Sequence, residues 1–387
     1  MTLADIWQTS PKLPSVSVAE GMRAAARDEG KTQFTQIREF AGLNFGAGKV
    51  LPEEYYYYGL YANRYDESQR REFVGKRLEI GLHQITCDPH FWMLAHDKLG
   101  CYGVLQLLGF PVPRTLAVYR HGVSFPGVKS LADRDELTAA LRTELTGPMF
   151  GKPARGIRSA GVLSIDGFDP ATDSMRLAHG HTASVDELAE ALETYADEGY
   201  LLQERVRQHP EVAAVCGETV GTVRIIILRG PDGPEPFRAL WKLPSGTNVA
   251  DNFWREGNIL AALDLETGRV TRVIQGVGSK LREIDTHPTS GRRLTDYVLP
   301  DWTAARDLVL AASGAFPELR MQAWDIAFGA DGPVLIEVNV GGDYNLPQLS
   351  AGKGMLEPRF RAFLEYCAKK RGLERKLRRL RLASKPR

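Results

Sequence analysis

The chain has 387 residues, of which 43% are hydrophobic and 25% charged, so it is long enough to form two or three lobes of a globular protein. Its formal net charge of +1 gives no global signal for nucleic-acid binding, and no apolar run approaches the roughly 20 residues that cross a bilayer. The four cysteines form no Cys-x-x-Cys pair, and the N-terminus lacks a signal-peptide pattern. These features predict a cytoplasmic protein with reduced thiols.

Residues 1–90 are predicted to form a helical N-terminal extension. Residues 18–40 are rich in Ala, Glu, Arg and Gln, and Pro52 opens a further helix with acidic residues in its first turn. The tyrosine run at residues 55–58 has two interpretations, a stacking platform for a sugar or base and a packing face of the helix. We favour the packing face.

Residues 91–145 are predicted to lead into the first sheet. A helix over residues 90–109 carries Lys98 near its start, and residues 115–119 read as a short strand. The residues alone leave Lys98 open to the interpretation of a solvated surface lysine.

Residues 146–212 are predicted to form a lobe that holds phosphates. A strand ends at Lys152, and the loop that follows contains Gly156, Ser159 and Gly161. Glycines let backbone N–H groups approach phosphate oxygens, and a fixed ammonium beside such a loop neutralises phosphate charge. The spacing is not that of a P-loop.

Residues 213–350 are predicted to form the second main lobe. Residues 221–228 are almost continuously apolar, as in a strand covered on both faces, and Arg224 lies in their middle. A buried guanidinium needs an anionic partner. The partner is either a carboxylate of the core or a transferring phosphoryl group, and we favour the phosphoryl group.

Residues 321–345 contain the strongest motif. Turn residues 329–332 separate two short apolar runs, and a three-residue loop over residues 330–332 would place Asp325 opposite Glu337. Glu337 and Asn339 then lie on the same face, because side chains alternate along a strand. Two carboxylates and a carboxamide predict a site for Mg²⁺ or Mn²⁺.

Residues 351–387 are predicted to form a basic C-terminal helix. Three interpretations stay open: a solvated helix, a helix on an anionic membrane surface, and a contact with a polyanionic glycan. Oligomeric state is left open.

The Asp325 and Glu337-x-Asn339 pattern resembles the magnesium site of the ATP-grasp superfamily, and WDIAF-x(3)-GPVLIEVN is most similar to its sugar-transfer-associated group. The resemblance implies an α/β (α+β) fold in which two antiparallel-sheet lobes clasp ATP behind a helical N-terminal extension. It also implies a nucleotide lobe over residues 146–212 and a catalytic, metal-binding lobe over residues 213–350.

The resemblance implies a role for further residues. Lys152 and Lys98 would reach the phosphates, Lys242 the γ-phosphate, and Asn252 the substrate. Residues expected to contact the nucleotide are Gly156, Ser159, Gly161, Gln203, Glu204, Arg205, Val206 and, at the ribose, Glu211. D-alanine–D-alanine ligase carries an arginine two residues before the metal Asp, where this chain has Ala323, so Arg224 is expected to be catalytic together with Lys152.

The activity implied by the resemblance is ATP-dependent ligation of a small-molecule carboxylate to an amine through an acyl-phosphate, with a sugar acid as one candidate substrate. The pathway implied is polysaccharide or secondary-metabolite biosynthesis. Two alternatives are an ATP-grasp phosphotransferase acting on a sugar hydroxyl and a non-catalytic ATP-binding module of a glycan assembly complex.

Overall fold

Two seven-stranded sheets organise the protein, whose computed structural model describes residues 16–156 and 159–383. The strands of the first sheet are β1 (Thr115–Tyr119), β2 (Ser130–Leu131), β3 (Met149–Pro153), β4 (Leu163–Asp169), β5 (Ser174–Leu177), β6 (Thr182–Ser184) and β7 (Tyr200–Glu204). Their order is β2-β1-β7-β3-β4-β5-β6, and only the β1–β2 pair is parallel within the described residues. β1 and β2, from the segment predicted to precede this lobe, are thus part of its sheet.

The second sheet is antiparallel throughout its described pairs. Its strands are β8 (Thr222–Gly230), β9 (Gly233–Leu243), β10 (Ile259–Leu263), β11 (Val270–Gln275), β12 (Arg282–Glu283), β13 (Met321–Gly329) and β14 (Gly332–Val340). Their order is β12-β11-β10-β9-β8-β13-β14. All nine residues of β13 are buried, as expected for a central strand covered on both faces.

Helices cover the sheets and precede and follow them in the chain. They are α1 (Val18–Glu29), α2 (Gln33–Phe45), α3 (Pro52–Tyr57), α4 (Glu67–Arg71), α5 (Lys76–Thr86), α6 (Trp92–His96), α7 (Lys98–Leu107), α8 (Arg134–Thr143), α9 (Val185–Glu193), α10 (Pro210–Cys216), α11 (Trp302–Ala312), α12 (Asn345–Ala351), α13 (Pro358–Lys370) and α14 (Glu374–Arg379). No helix in the described ranges is long and apolar enough to cross a membrane.

The N-terminal helices pack on the second sheet. The region of residues 18–40, expected to be helical, contains two helices, because Gly30 takes a left-handed conformation (φ +66°) that ends α1. Tyr55 and Tyr56 are fully buried, and they share a hydrophobic cluster with Leu240 and Leu260 of the second sheet. The tyrosine run is therefore a packing face.

The β13–β14 hairpin places Asp325 opposite Glu337 in the predicted register. The predicted three-residue loop is wrong, however, because Gly329 pairs with Gly332 across a two-residue turn. The extra residue of β14 lies farther along, at a bulge where the register shifts between Asp325 and Ile326. A shorter turn and a bulge together give the same pairing as the longer loop.

The C-terminal segment is two helices rather than one. α13 ends at Lys370, and Gly372 (φ +63°) separates it from α14. The apolar face of α13 is buried against the protein, with Phe360 and Leu364 fully inaccessible to solvent. A membrane contact of this segment stays a prediction. Only its exposed basic side chains could make that contact, because its apolar face is buried.

Candidate functional site

A cavity of about 930 Å³ lies between the two sheets and is lined by residues from both. Most of the residues expected at a nucleotide site line it: Lys98, Lys152, Gly156, Ser159, Gln203, Glu204, Arg205, Val206, Arg224, Lys242, Asn252, Asp325, Glu337 and Asn339. Strand ends of the first sheet supply one wall, and β8, β9, β13 and β14 supply the other. Residues far apart in the sequence therefore meet at one place.

Two expected residues do not line the cavity. Gly161 packs against Tyr195, and a Cβ added at Gly161 would lie 2.4 Å from the tyrosine hydroxyl oxygen. Gly161 therefore belongs to the packing of the loop after β3 and not to the cavity wall. Glu211 is exposed in the first turn of α10, because Pro210 starts that helix and directs Glu211 to solvent. The structure therefore does not place Glu211 at the cavity, although a ribose contact was expected for it, and Glu218 lines the cavity instead.

Lys152 is a buried ammonium in the cavity wall, 6% exposed. Its Nζ donates to Tyr102 Oη at 2.5 Å, and Tyr102 Oη donates to the carbonyl of Ile336 at 2.5 Å. No carboxylate in the described residues forms an ion pair with it. Burial, and then the positive charge of Lys98, lower the pKa of Lys152 to about 7.

Lys98 lies beside the loop that follows β3. Its Nζ donates to the carbonyl of Gly156 at 2.8 Å and lies 3.6 Å from Glu337 Oε2. The side chain is 12% exposed, so it is not the solvated surface lysine that the sequence left open. Lys98 and Lys152 thus face the same part of the cavity from two different elements.

Arg224 is paired with a carboxylate of the core, Asp325, and not with the phosphoryl group that we favoured as its partner from the sequence. Its Nε and Nη2 donate to the two Asp325 oxygens at 2.7 and 2.8 Å, and Lys242 Nζ donates to Oδ2 at 3.0 Å. Burial raises the pKa of Asp325, but the charges of Arg224 and Lys242 outweigh burial and hold that pKa well below its usual range. Arg224 Nη1 has no partner among the described residues.

The expected metal ligands are adjacent but not equivalent. Asn339 Nδ2 lies 3.2 Å from Glu337 Oε1, and both side chains are only partly buried on β14. Both oxygens of Asp325 accept bonds from cations, so Asp325 is less accessible to a metal than Glu337 is. One carboxylate and one amide oxygen fit Mg²⁺, which commonly takes few protein ligands and completes its shell with phosphate and water.

No group of three or more His, Cys, Asp or Glu side chains in the described residues is arranged to hold a metal ion. The hairpin site differs from such a group because one of its three members is an asparagine. A metal ion bound at this position would therefore need phosphate or water oxygens to complete its coordination shell.

The end of β7 forms another wall of the cavity. Gln203 is buried and its Nε2 contacts Thr115 Oγ1 at 3.3 Å, while Arg205 is held by an ion pair with Asp166. The amide N–H of Glu204 donates to the carbonyl of Arg114, which leaves that amide unavailable to a ligand. The backbone N–H and carbonyl of Val206 have no hydrogen-bond partner in the described part of the chain.

Several cavity residues lacked an assigned role at the sequence level. Asp251 accepts from the backbone N–H of Thr222 at 2.9 Å and lies 3.4 Å from Lys242, so it holds that lysine between two carboxylates. Asp343 lines the cavity after β14. The Asp251-Asn252 pair could have pointed to Asp251 from the sequence alone. No sequence pattern could have pointed to the contact between Tyr102 and Lys152.

The family model described as sugar-transfer associated ATP-grasp matches residues 82–363. No curated protein matches the chain.

Among solved structures, the D-alanine-D-alanine ligase from Coxiella burnetii is similar at 12% identity, 74% coverage of this chain, 61% coverage of that chain and a TM-score of 0.39. For the L-amino acid ligase from Bacillus licheniformis these values are 13%, 71%, 48% and 0.39. For D-alanyl-alanine synthetase A from Vibrio cholerae they are 15%, 73%, 67% and 0.40. The match thus spans less than two thirds of the first two chains. On the family match, the chain belongs to the sugar-transfer-associated ATP-grasp family and has its α/β fold.

Proposed function

We propose that this protein uses ATP to join a small-molecule carboxylate to an amine, with ADP and phosphate as the other products. Family membership supports the use of ATP, and the cavity between the sheets is large enough for a nucleotide and a second small molecule. The family description favours a sugar acid as the carboxylate and a role in polysaccharide or secondary-metabolite biosynthesis. We propose a cytoplasmic location for this reaction.

The observation that carries the proposal is the buried ammonium of Lys152. Burying a charge without a counter-ion costs stability, and Lys98 close by increases that cost. An anion in the cavity would offset both positive charges at once. A triphosphate is such an anion, and the loop that contains Gly156 and Ser159 lies beside it.

Glu337 and the amide oxygen of Asn339 would hold Mg²⁺ or Mn²⁺ in this proposal, with Asp325 as a further contact. A metal ion bound there supplies charge neutralisation on the phosphate oxygens. The residues of the chain keep their own tasks. Lys98 and Lys152 hold the phosphates in place, and Val206 offers its free backbone groups to the base.

The proposed reaction has two steps. A carboxylate oxygen of the acid attacks the γ-phosphorus in line, the bond from that phosphorus to the bridging oxygen breaks, and ADP leaves. The amine then attacks the carbonyl carbon of the acyl-phosphate, and phosphate and a proton leave. Arg224 Nη1, which Asp325 does not occupy, donates to oxygens of the transferring group, while Asp325 fixes the direction of the guanidinium.

Product analysis tests the proposal. ADP and phosphate are expected only when both an acid and an amine are supplied. AMP and pyrophosphate would rule out the acyl-phosphate route. A stable phosphorylated sugar formed without an amine would identify a phosphotransferase, and tight ATP binding without turnover across a broad acceptor screen would identify a binding module.

A further inference from the structure

An apolar stripe on α2 faces solvent. Phe34, Ile37 and Phe45 are 75%, 48% and 71% exposed, and their spacing places them on one face of the helix. Gln36 and Leu43 on the opposite face are buried. The fold thus covers one side of α2 and leaves a second apolar side uncovered.

The stripe continues onto α5 and meets the C-terminal segment. Ile80 on α5 is 59% exposed, and Arg77, one turn earlier, donates to Asn44 Oδ1 at 3.3 Å, next to Phe45 in the chain. Arg381 donates to the carbonyl of Phe45 at 3.0 Å. Three segments that are distant in sequence therefore form one continuous surface.

The border of this surface is positively charged. Residues 369–383 contain eight basic side chains and one acidic side chain. Five arginines on α2, α5 and the adjoining C-terminal segment are exposed and form no ion pair with the described residues: Arg38, Arg77, Arg378, Arg379 and Arg381. We call the four apolar side chains and these five arginines the α2 face.

We propose that the α2 face binds the surface of an anionic lipid membrane. Apolar side chains that enter the headgroup region, bordered by arginines that meet acidic headgroups, are the two components of such binding. A second copy of the chain fits less well, because two copies would bring the same five positive charges together. Nucleic acid fits less well because phosphate contacts would leave the four apolar side chains without a partner.

The side chains that enter the membrane lie on α2 and α5 rather than on the C-terminal helices. The apolar side chains of α13 are buried within the protein, so that helix can contribute only charge. The α2 face needs neither the cavity nor its chemistry. A failed lipid test would therefore leave the proposed ligation untouched, and a failed ligation test would leave the lipid contact untouched.

Co-sedimentation of the full chain with vesicles tests the proposal. Vesicles of phosphatidylcholine with phosphatidylserine should bind the protein at low ionic strength, and phosphatidylcholine alone should bind it much less. The F34S/F45S double variant should lose most of the binding at unchanged melting temperature. The R378Q/R379Q variant should bind about 30-fold more weakly, which is about fivefold per arginine. As a matched control, L107S replaces a side chain that is 85% exposed on α7 and should bind like the wild type.

Three outcomes would overturn the proposal. The first is a wild-type protein that does not bind the phosphatidylserine vesicles. The second is F34S/F45S binding as strongly as the wild type, which would reduce the contact to the basic segment alone. The third is a wild-type dimer in analytical ultracentrifugation that F34S/F45S converts to monomer, since the α2 face would then be a contact between copies of the chain.

Discussion

Replacing Lys152 with methionine should stabilise the protein at neutral pH and stabilise it less at high pH. The unfolded chain keeps a proton on Lys152 up to about pH 10.5, whereas the folded protein releases that proton near pH 7. Unfolding therefore takes up a proton between these values, and the stability of the wild type rises with pH across this window. The shift corresponds to a cost of about 5 kcal/mol at pH 6 and about 2 kcal/mol at pH 9.

Lys152→Met removes this cost and loses the hydrogen bond to Tyr102, which is worth about 1 kcal/mol. Urea unfolding of both proteins at pH 6, 7, 8 and 9 should show a stabilising difference that shrinks by about 3 kcal/mol across the series. Lys353→Met, at an exposed lysine, is the control and should show no such trend. A Lys152→Met variant that is less stable than the wild type by a constant amount at every pH would refute the reasoning.

Three further predictions concern the cavity. Glu337→Gln should reduce ADP formation at least 100-fold, measured by a coupled assay, and change the free energy of unfolding by no more than about 0.5 kcal/mol, because the side chain is only partly buried. Asp325→Asn should lower the free energy of unfolding in urea by about 3–5 kcal/mol, since it leaves two buried cations without their shared anion. Glu218→Gln should weaken ATP binding about tenfold in calorimetry, whereas Glu211→Gln should leave it unchanged; equal effects of the two substitutions would contradict the placement of α10.

The hairpin shows how far local patterns predict the fold. Turn residues and strand alternation were enough to predict that Asp325 pairs with Glu337. They could not separate a three-residue loop from a two-residue turn followed by a bulge at Ile336 of β14, because both give that pairing. The position of a bulge depends on packing of neighbouring strands, which a single sequence does not display.

The site shows the limit set by contacts between distant residues. The position of Arg224 in an apolar strand predicted a buried cation with an anionic partner, but the identity of that partner depends on the register between β8 and β13. Lys152 and Tyr102 are separated by 50 residues, so no spacing pattern could have paired them. The sequence could therefore predict that Arg224 is a buried charged residue, but it could not identify the partners of Arg224 and Lys152.

The local environment of α10 explains why Glu211 lies outside the cavity. The resemblance to ATP-grasp ligases led us to expect Glu211 at the ribose, but Pro210 starts a helix at that point. Spacing along the chain is transferable only where the backbone between the two positions follows the same path. A helix start changes that path within a single residue.

A crystal structure with Mn²⁺ and a non-hydrolysable ATP analogue tests the central claim most directly. We expect the triphosphate beside Lys98 and Lys152 in the cavity between the sheets, with anomalous density for Mn²⁺ within bonding distance of Glu337 and Asn339. A triphosphate bound in another cleft, or a Mn²⁺ peak away from both of these side chains, would contradict the account.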